Sequence, residues 1–103
     1  MLSILIPIYN FNTTNLIKEL NNQLVILNIK YEIRCYEDGS TRFTDQNKAC
    51  CNTIKNMVYK QINPNLGRQE IRSLLANEAK YNRLLFIDCD NIIKHDNFIE
   101  NYL

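Results

Sequence analysis

A chain of 103 residues with 46% hydrophobic content is long enough for one domain with a modest core and too apolar for a disordered segment. Twelve basic and eleven acidic residues leave a net charge of +1 with no run of like charge, which argues against a nucleic-acid stripe and a polybasic membrane patch. No apolar segment approaches the roughly 18 residues of a membrane-spanning helix, and the opening Met1-Leu2-Ser3-Ile4-Leu5-Ile6-Pro7 reads as a strand, not as a secretion signal.

The elements follow in regular order. Ser3 to Tyr9 is apolar and β-rich, with Pro7 near its end, where a missing donor costs least. Thr13 or Thr14 starts a helix in which Leu16, Ile17, Leu20, Leu24 and Leu27 recur at helical spacing. Asn12-Thr13-Thr14 matches a glycosylation acceptor pattern, but is read as this helix's cap. Tyr31 to Glu37 alternates Tyr31, Ile33 and Cys35 against Glu32, Arg34 and Tyr36, which is a strand pattern, and the aromatics Tyr31, Tyr36, Phe86 and Phe98 are expected mostly in the core. Asp38-Gly39-Ser40-Thr41 is turn chemistry. A second helix is expected from Thr44-Asp45, with Ala49, Cys50, Ile54, Met57 and Val58 inward, then a short strand from Val58 to Ile62. Asn63 to Gly67 is a loop, and a third helix carries the stripe Ile71, Leu74, Leu75 and Ala79. Leu84 to Ile87 reads as a buried strand of a parallel sheet, and Asp96 to Leu103 opens a fourth helix with Phe98, Ile99 and Tyr102 on one face. The order βαβαβαβα implies an α/β fold: a Rossmann-like parallel sheet with helices on both faces.

The four cysteines, Cys35, Cys50, Cys51 and Cys89, form neither a C-x-x-C pair nor a zinc ligand set, so they read as reduced, apolar thiols of a cytoplasmic protein.

Chemistry-bearing residues fall just past three predicted strands: Pro7-Ile8-Tyr9-Asn10, Glu37-Asp38-Gly39-Ser40-Thr41 and Asp88-Cys89-Asp90-Asn91. In a parallel sheet these loops leave along one edge, where ligands of open α/β sheets bind. Asp88 and Asp90, two apart in an extended chain, would point to one side with Cys89 turned away. Two like charges so placed call for a cation, and a hard divalent ion holding phosphate oxygens suits them. Arg68 and Arg72, four apart in the first turns of the third helix, stand where the helix dipole disfavours cations and therefore suggest an anionic partner.

These segments, with Asn65-Leu66-Gly67 and Arg72 and with Phe86-Ile87-Asp88-Cys89-Asp90-Asn91, resemble in order and interval the nucleotide-sugar half of a family 2 glycosyltransferase, the N-terminal half of a GT-A domain. The resemblance implies contacts to a nucleobase, usually uracil, from the backbone around Pro7, Ile8 and Tyr9 and from the Asp38 carboxylate, with Glu37 also among the nucleotide-binding residues. It gives Arg72 a hold on the nucleotide, Asp88 a place near the ribose, and Asp90, with Asp88, a Mg²⁺ or Mn²⁺ ion bridging the diphosphate. It also implies inverting transfer from a UDP-sugar to a saccharide or lipid-linked acceptor hydroxyl, in the cytoplasm or peripherally at the inner face of the membrane. The catalytic base would lie beyond Leu103, His95 being too close to the D-x-D loop, so residues 1–103 are expected to be one donor-binding domain truncated before the acceptor half and inactive alone. Glu37 stands where the family commonly has Asp, and Asn91 where a third acid often follows.

Two other classes compete. A sugar-phosphate nucleotidyltransferase wants a glycine- and arginine-rich loop after the first strand, and Pro7-Ile8-Tyr9-Asn10 has no glycine; phosphotransfer through an aspartyl-phosphate wants an acid there. A non-catalytic module would instead cover an exposed apolar face by forming a homodimer.

Overall fold

The computed structural model describes all 103 residues. Four strands, β1 (Leu2–Ile8), β2 (Tyr31–Asp38), β3 (Met57–Ile62) and β4 (Leu84–Phe86), form one all-parallel sheet in the order β3-β2-β1-β4. Between them run α1 (Thr14–Leu24), α2 (Thr44–Asn52) and α3 (Arg68–Glu78), and α4 (Phe98–Tyr102) follows β4. The expected α/β architecture with helices on both faces is therefore observed.

Strand periodicity divides the core in two. Leu2, Ile4, Ile6 and Ile8 of β1, with Ile33 and Cys35 of β2, bury themselves against Leu16, Ile17, Leu20 and Leu24 of α1 and Cys50 and Cys51 of α2. Residues of the opposite parity, Leu5 and Tyr36, pack against Ile71 and Leu75 of α3. Tyr36, expected in the core with the other strand aromatics, is fully buried, because α3 covers the second side of the sheet. The chain steps outward from β1 to β2 to β3, then returns across the sheet to place β4 on the far side of β1. Right-handed crossovers put the first two connections on one face and the third on the other.

Several boundaries shift. β4 spans three half-buried residues instead of four buried ones, since it is an edge strand paired only with β1. Only Ile87, whose N–H donates to Leu5 O at 3.0 Å, is buried. In α2 the inward face is Asn47, Cys50 and Cys51, and Ala49 is exposed. α1 ends at Leu24, yet Leu27 still packs on the core beyond it. Thr13 occupies the N-cap position of α1 without a side-chain cap bond; Asn12 Oδ1 accepts from the Thr14 N–H (3.1 Å) and hydroxyl (2.7 Å) instead.

Pro7 sits inside a central strand at no cost, and the reason bears on the site. The N–H of Leu2 points to the β2 side, bonding Lys30 O, whereas that of Ser3 points to the β4 side, bonding Arg83 O. Alternation therefore aims the nitrogen of Pro7 toward β4, whose last pairing with β1 is Phe86 with Leu5. Past that pairing the two strands part, and a cleft opens between their carboxyl ends.

Candidate nucleotide-binding cleft

The cleft has a volume of about 530 Å³ and lies at the point where the strand order reverses, between β1 and β4. The end of β1 contributes Pro7, Ile8 and Tyr9, with Phe11 beyond it; β2 contributes Asp38. Asn65, Gly67, Arg68 and Ile71 come from the entry to α3, and Asp88, Cys89 and Asp90 follow β4. The structure thus gathers six of the eight residues expected to bind nucleotide or metal, Pro7, Ile8, Tyr9, Asp38, Asp88 and Asp90, together with Arg68.

Local chemistry shapes these walls. Asn10, at φ 49°, accepts the N–H of Thr41 (2.7 Å) and of Arg42 (3.2 Å) through Oδ1, and its own N–H donates to Ser40 Oγ at 2.9 Å. The loops after β1 and β2 are thereby tied together. Asp38, 5% exposed, fastens the entry to α3: Oδ1 accepts the Leu66 N–H at 2.6 Å, Oδ2 the Gly67 N–H at 3.1 Å, and Asn65 Nδ2 returns a bond to Asp38 O at 2.7 Å. Gly39 permits this closure, because it adopts φ +74° and a Cβ there would come within 2.8 Å of the Asn65 backbone nitrogen.

The D-x-D segment differs in conformation from the extended reading. The chain turns after Ile87, and the Asn91 N–H bonds Asp88 O at 3.0 Å. Both carboxylates are nonetheless exposed to the cleft, while half-buried Cys89 packs on the core and burial pushes its thiol pKa up. Arg68 Nη2 stands 3.9 Å from Asp88 Oδ1, a loose and solvent-exposed pair.

Two expected site residues lie elsewhere. Glu37 follows Ile33 and Cys35 in strand parity, so its side chain faces α1 and α2, and it is 1% exposed. Neighbouring carboxylates of one strand cannot both look into the cleft, and Asp38 holds that side. Glu37 Oε2 accepts Asn47 Nδ2 at 3.0 Å and the Tyr59 hydroxyl at 2.8 Å. Burial, then the bond to Glu37, raise the Tyr59 hydroxyl well above its ordinary range. Arg72 folds its guanidinium over the Phe86 ring, 4.1 Å from the centroid, in a separate shallow groove with Gln69, Ser73 and Ala76. One helical turn, about 6 Å, carries it away from the cleft and leaves Arg68 as the cleft cation.

Sequence reasoning missed Phe11 and Asn47. The signal for Asn47 was present: with Cys50, Cys51 and Ile54 it completes an i, i+3, i+4, i+7 stripe in which the polar member was passed over. Phe11 carries no local signal, since only the course of the β1–α1 segment brings it to the cleft.

A metal ion fits this cleft in one manner. No cluster of three or more metal-ligating side chains exists, so the protein offers no closed cage. Two exposed carboxylates beside a space large enough for phosphates match the pattern of Mg²⁺, which takes one or two carboxylates and completes its shell with phosphate oxygens and water.

No family model and no curated protein matches the chain. Solved structures do. TarS 1–349 of S. aureus superposes with a TM-score of 0.72 at 25% identity, over 98% of this chain and 30% of TarS 1–349. Its complex with UDP-GlcNAc gives a TM-score of 0.80 at 23% identity, covering 98% and 29%. Its complex with UDP gives 0.70 at 25% identity, covering 98% and 30%. The chain has the fold of the N-terminal half of a GT-A domain. The resemblance to family 2 glycosyltransferases carried by the sequence motifs is borne out. This GT-A chain spans less than a third of the TarS chains it matches. No helix of it is long and apolar enough to cross a membrane.

Proposed function

We propose that this chain binds a nucleotide-diphosphate sugar, with uridine as the nucleoside, jointly with Mg²⁺ or Mn²⁺, as the donor-binding part of an inverting glycosyltransferase. The observation that carries the reading is the convergence of Tyr9, Asp38, Arg68, Asp88 and Asp90 in one cleft, at the switch point of a fold whose TarS counterpart was crystallised with UDP and with UDP-GlcNAc. Fold alone would not suffice, because one scaffold hosts many chemistries.

Charge favours a cation-bound ligand. The cleft presents three carboxylates, Asp38, Asp88 and Asp90, against the single guanidinium of Arg68. A bare diphosphate would be repelled, whereas a diphosphate carrying a divalent ion meets Asp88 and Asp90 as donors and Arg68 as a counter-charge. Exposed Tyr9 and Phe11 offer aromatic surface to a base. The oxygens of Asp38 each hold one backbone N–H and keep a second lone pair for a base donor. When bound, the metal supplies charge compensation for the leaving nucleoside diphosphate. A saccharide or lipid-linked hydroxyl is the acceptor in this reading, and the free cysteines, three of them buried, suit the reducing cytoplasm.

Calorimetric titration of the chain with UDP, with and without Mn²⁺, tests the proposal. Binding is expected only with the metal, and Asp90→Ala is expected to abolish it. Affinity indifferent to Mn²⁺, or untouched by Asp90→Ala, would refute it.

A further inference from the structure

Glu37, displaced from the cleft by strand parity, sits at the root of a buried chain of hydrogen bonds that ends on the cleft wall. Asn47 is fully buried and bonds three ways. Its Nδ2 donates to Glu37 Oε2 at 3.0 Å and to Phe11 O at 2.8 Å, and its Oδ1 accepts the Thr13 N–H at 2.9 Å. Tyr59, from β3, donates its single hydroxyl proton to the same Glu37 oxygen at 2.8 Å, with Thr44 O, 3.2 Å from the hydroxyl, as the alternative acceptor. The backbone between β1 and α1 has no strand or helix partner at Phe11, so the Asn47 amide is what holds its carbonyl. A buried amide that satisfies two backbone groups at once is a strong constraint, since removing it leaves both unpaired.

We propose that Glu37 and Asn47 are positioning residues for the nucleotide-sugar cleft. Asn47 locks the Phe11–Thr13 backbone, so that the exposed Phe11 ring, 40% accessible, stands as a fixed wall toward the base. Glu37 orients the Asn47 amide by accepting one of its two N–H groups, which leaves Oδ1 facing Thr13. The inference rests on the proposed nucleotide binding for its ligand, but the contact itself is independent of any ligand.

Two readouts separate these layers. Amide hydrogen exchange of the ligand-free chain reads the lock: in Asn47→Ala the Thr13 N–H is expected to lose protection while Ile4 and Ile6 of β1 keep theirs. UDP titration with Mn²⁺ reads the consequence: Asn47→Ala is expected to weaken affinity on the order of tenfold, the scale on which supporting contacts act at ligand sites. Glu37→Gln, which retains an acceptor oxygen for Asn47 and Tyr59, is expected to restore near-normal affinity where Glu37→Leu does not. Loss of Thr13 protection with unchanged UDP affinity would overturn the inference, as would a Glu37→Gln variant as weak as Glu37→Leu. Global loss of protection in Asn47→Ala would move the test to the Glu37 pair, whose equal affinities would overturn it. Failure of the wild-type chain to bind UDP would instead strike the proposed function, with Thr13 exchange still reporting on the lock.

Discussion

Arg68 and Arg72 show how little separates a ligand contact from a packing contact. Both lie on one side of α3, four residues apart, and sequence reasoning favoured Arg72. In the structure Arg72 is spent on the Phe86 ring, an interaction of about 0.5–1 kcal/mol at such an exposed edge, whereas Arg68 projects beside Asp88. Arg68→Ala should therefore weaken Mn²⁺-dependent UDP binding several-fold, while Arg72→Ala should leave it nearly unchanged and lower the urea midpoint slightly. Titration of both variants checks this; the reverse order would return Arg72 to the site. Glu37 and Asp38 teach the same lesson by strand parity, one carboxylate serving the buried lock and its neighbour the cleft.

At the scale of elements, α3 is held at both ends by carboxylates of β2. Asp38 grips its entry through the Leu66 and Gly67 N–H groups. Beyond its exit, Glu32 accepts the Lys80 N–H at 2.6 Å, the Ser3 hydroxyl at 2.7 Å and Arg34 Nε at 2.9 Å, and Ser3 Oγ accepts the Tyr81 N–H at 3.1 Å. Burial alone would raise the Glu32 pKa, but these hydrogen bonds and the Arg34 charge outweigh it and hold the carboxyl below the ordinary 4.5. A depressed carboxyl stabilises the fold above its unfolded-state value and loses that contribution as pH falls through the folded one. Stability to urea should thus decline below about pH 4.5. Glu32→Gln should lower stability at pH 7 and flatten the acid decline; an unchanged acid slope would show that Glu32 does not drive it. The mate of this clasp, Glu78, receives the Tyr36 hydroxyl and Lys60 Nζ, so the end of α3 is pinned from two strands.

For the whole molecule, sheet order sets both the site and the gradient of rigidity. β1 and β2 are central and buried on both faces, whereas β4 pairs through three residues on one side only. The cleft therefore has one rigid wall and one softer wall carrying Asp88 and Asp90. The segment after it is tethered at few points, among them Gln23, whose Oε1 accepts the Ile99 N–H at 2.9 Å and whose Nε2 donates to His95 O at 2.8 Å. Amide exchange should be slowest at Ile4, Ile6, Ile33 and Cys35 and faster from Leu84 to Asn91, with UDP and Mn²⁺ together slowing the latter. Uniform exchange across all four strands would contradict this gradient.

The sequence by itself determined the α/β order, the parallel sheet, the three loops that share its edge and the acidic end of β4, because these follow from local periodicity, turn chemistry and the handedness of crossovers. It also sufficed for the resemblance to a GT-A domain. Only the tertiary structure decided which side of the sheet each loop residue serves. That choice depends on strand parity relative to α3, on where β4 ceases to pair with β1, and on a buried asparagine whose partners are 10 and more residues away. Glu37, Arg72 and Phe11 were misplaced or missed for that reason: the spacing that sets their neighbours runs across the sheet, not along the chain.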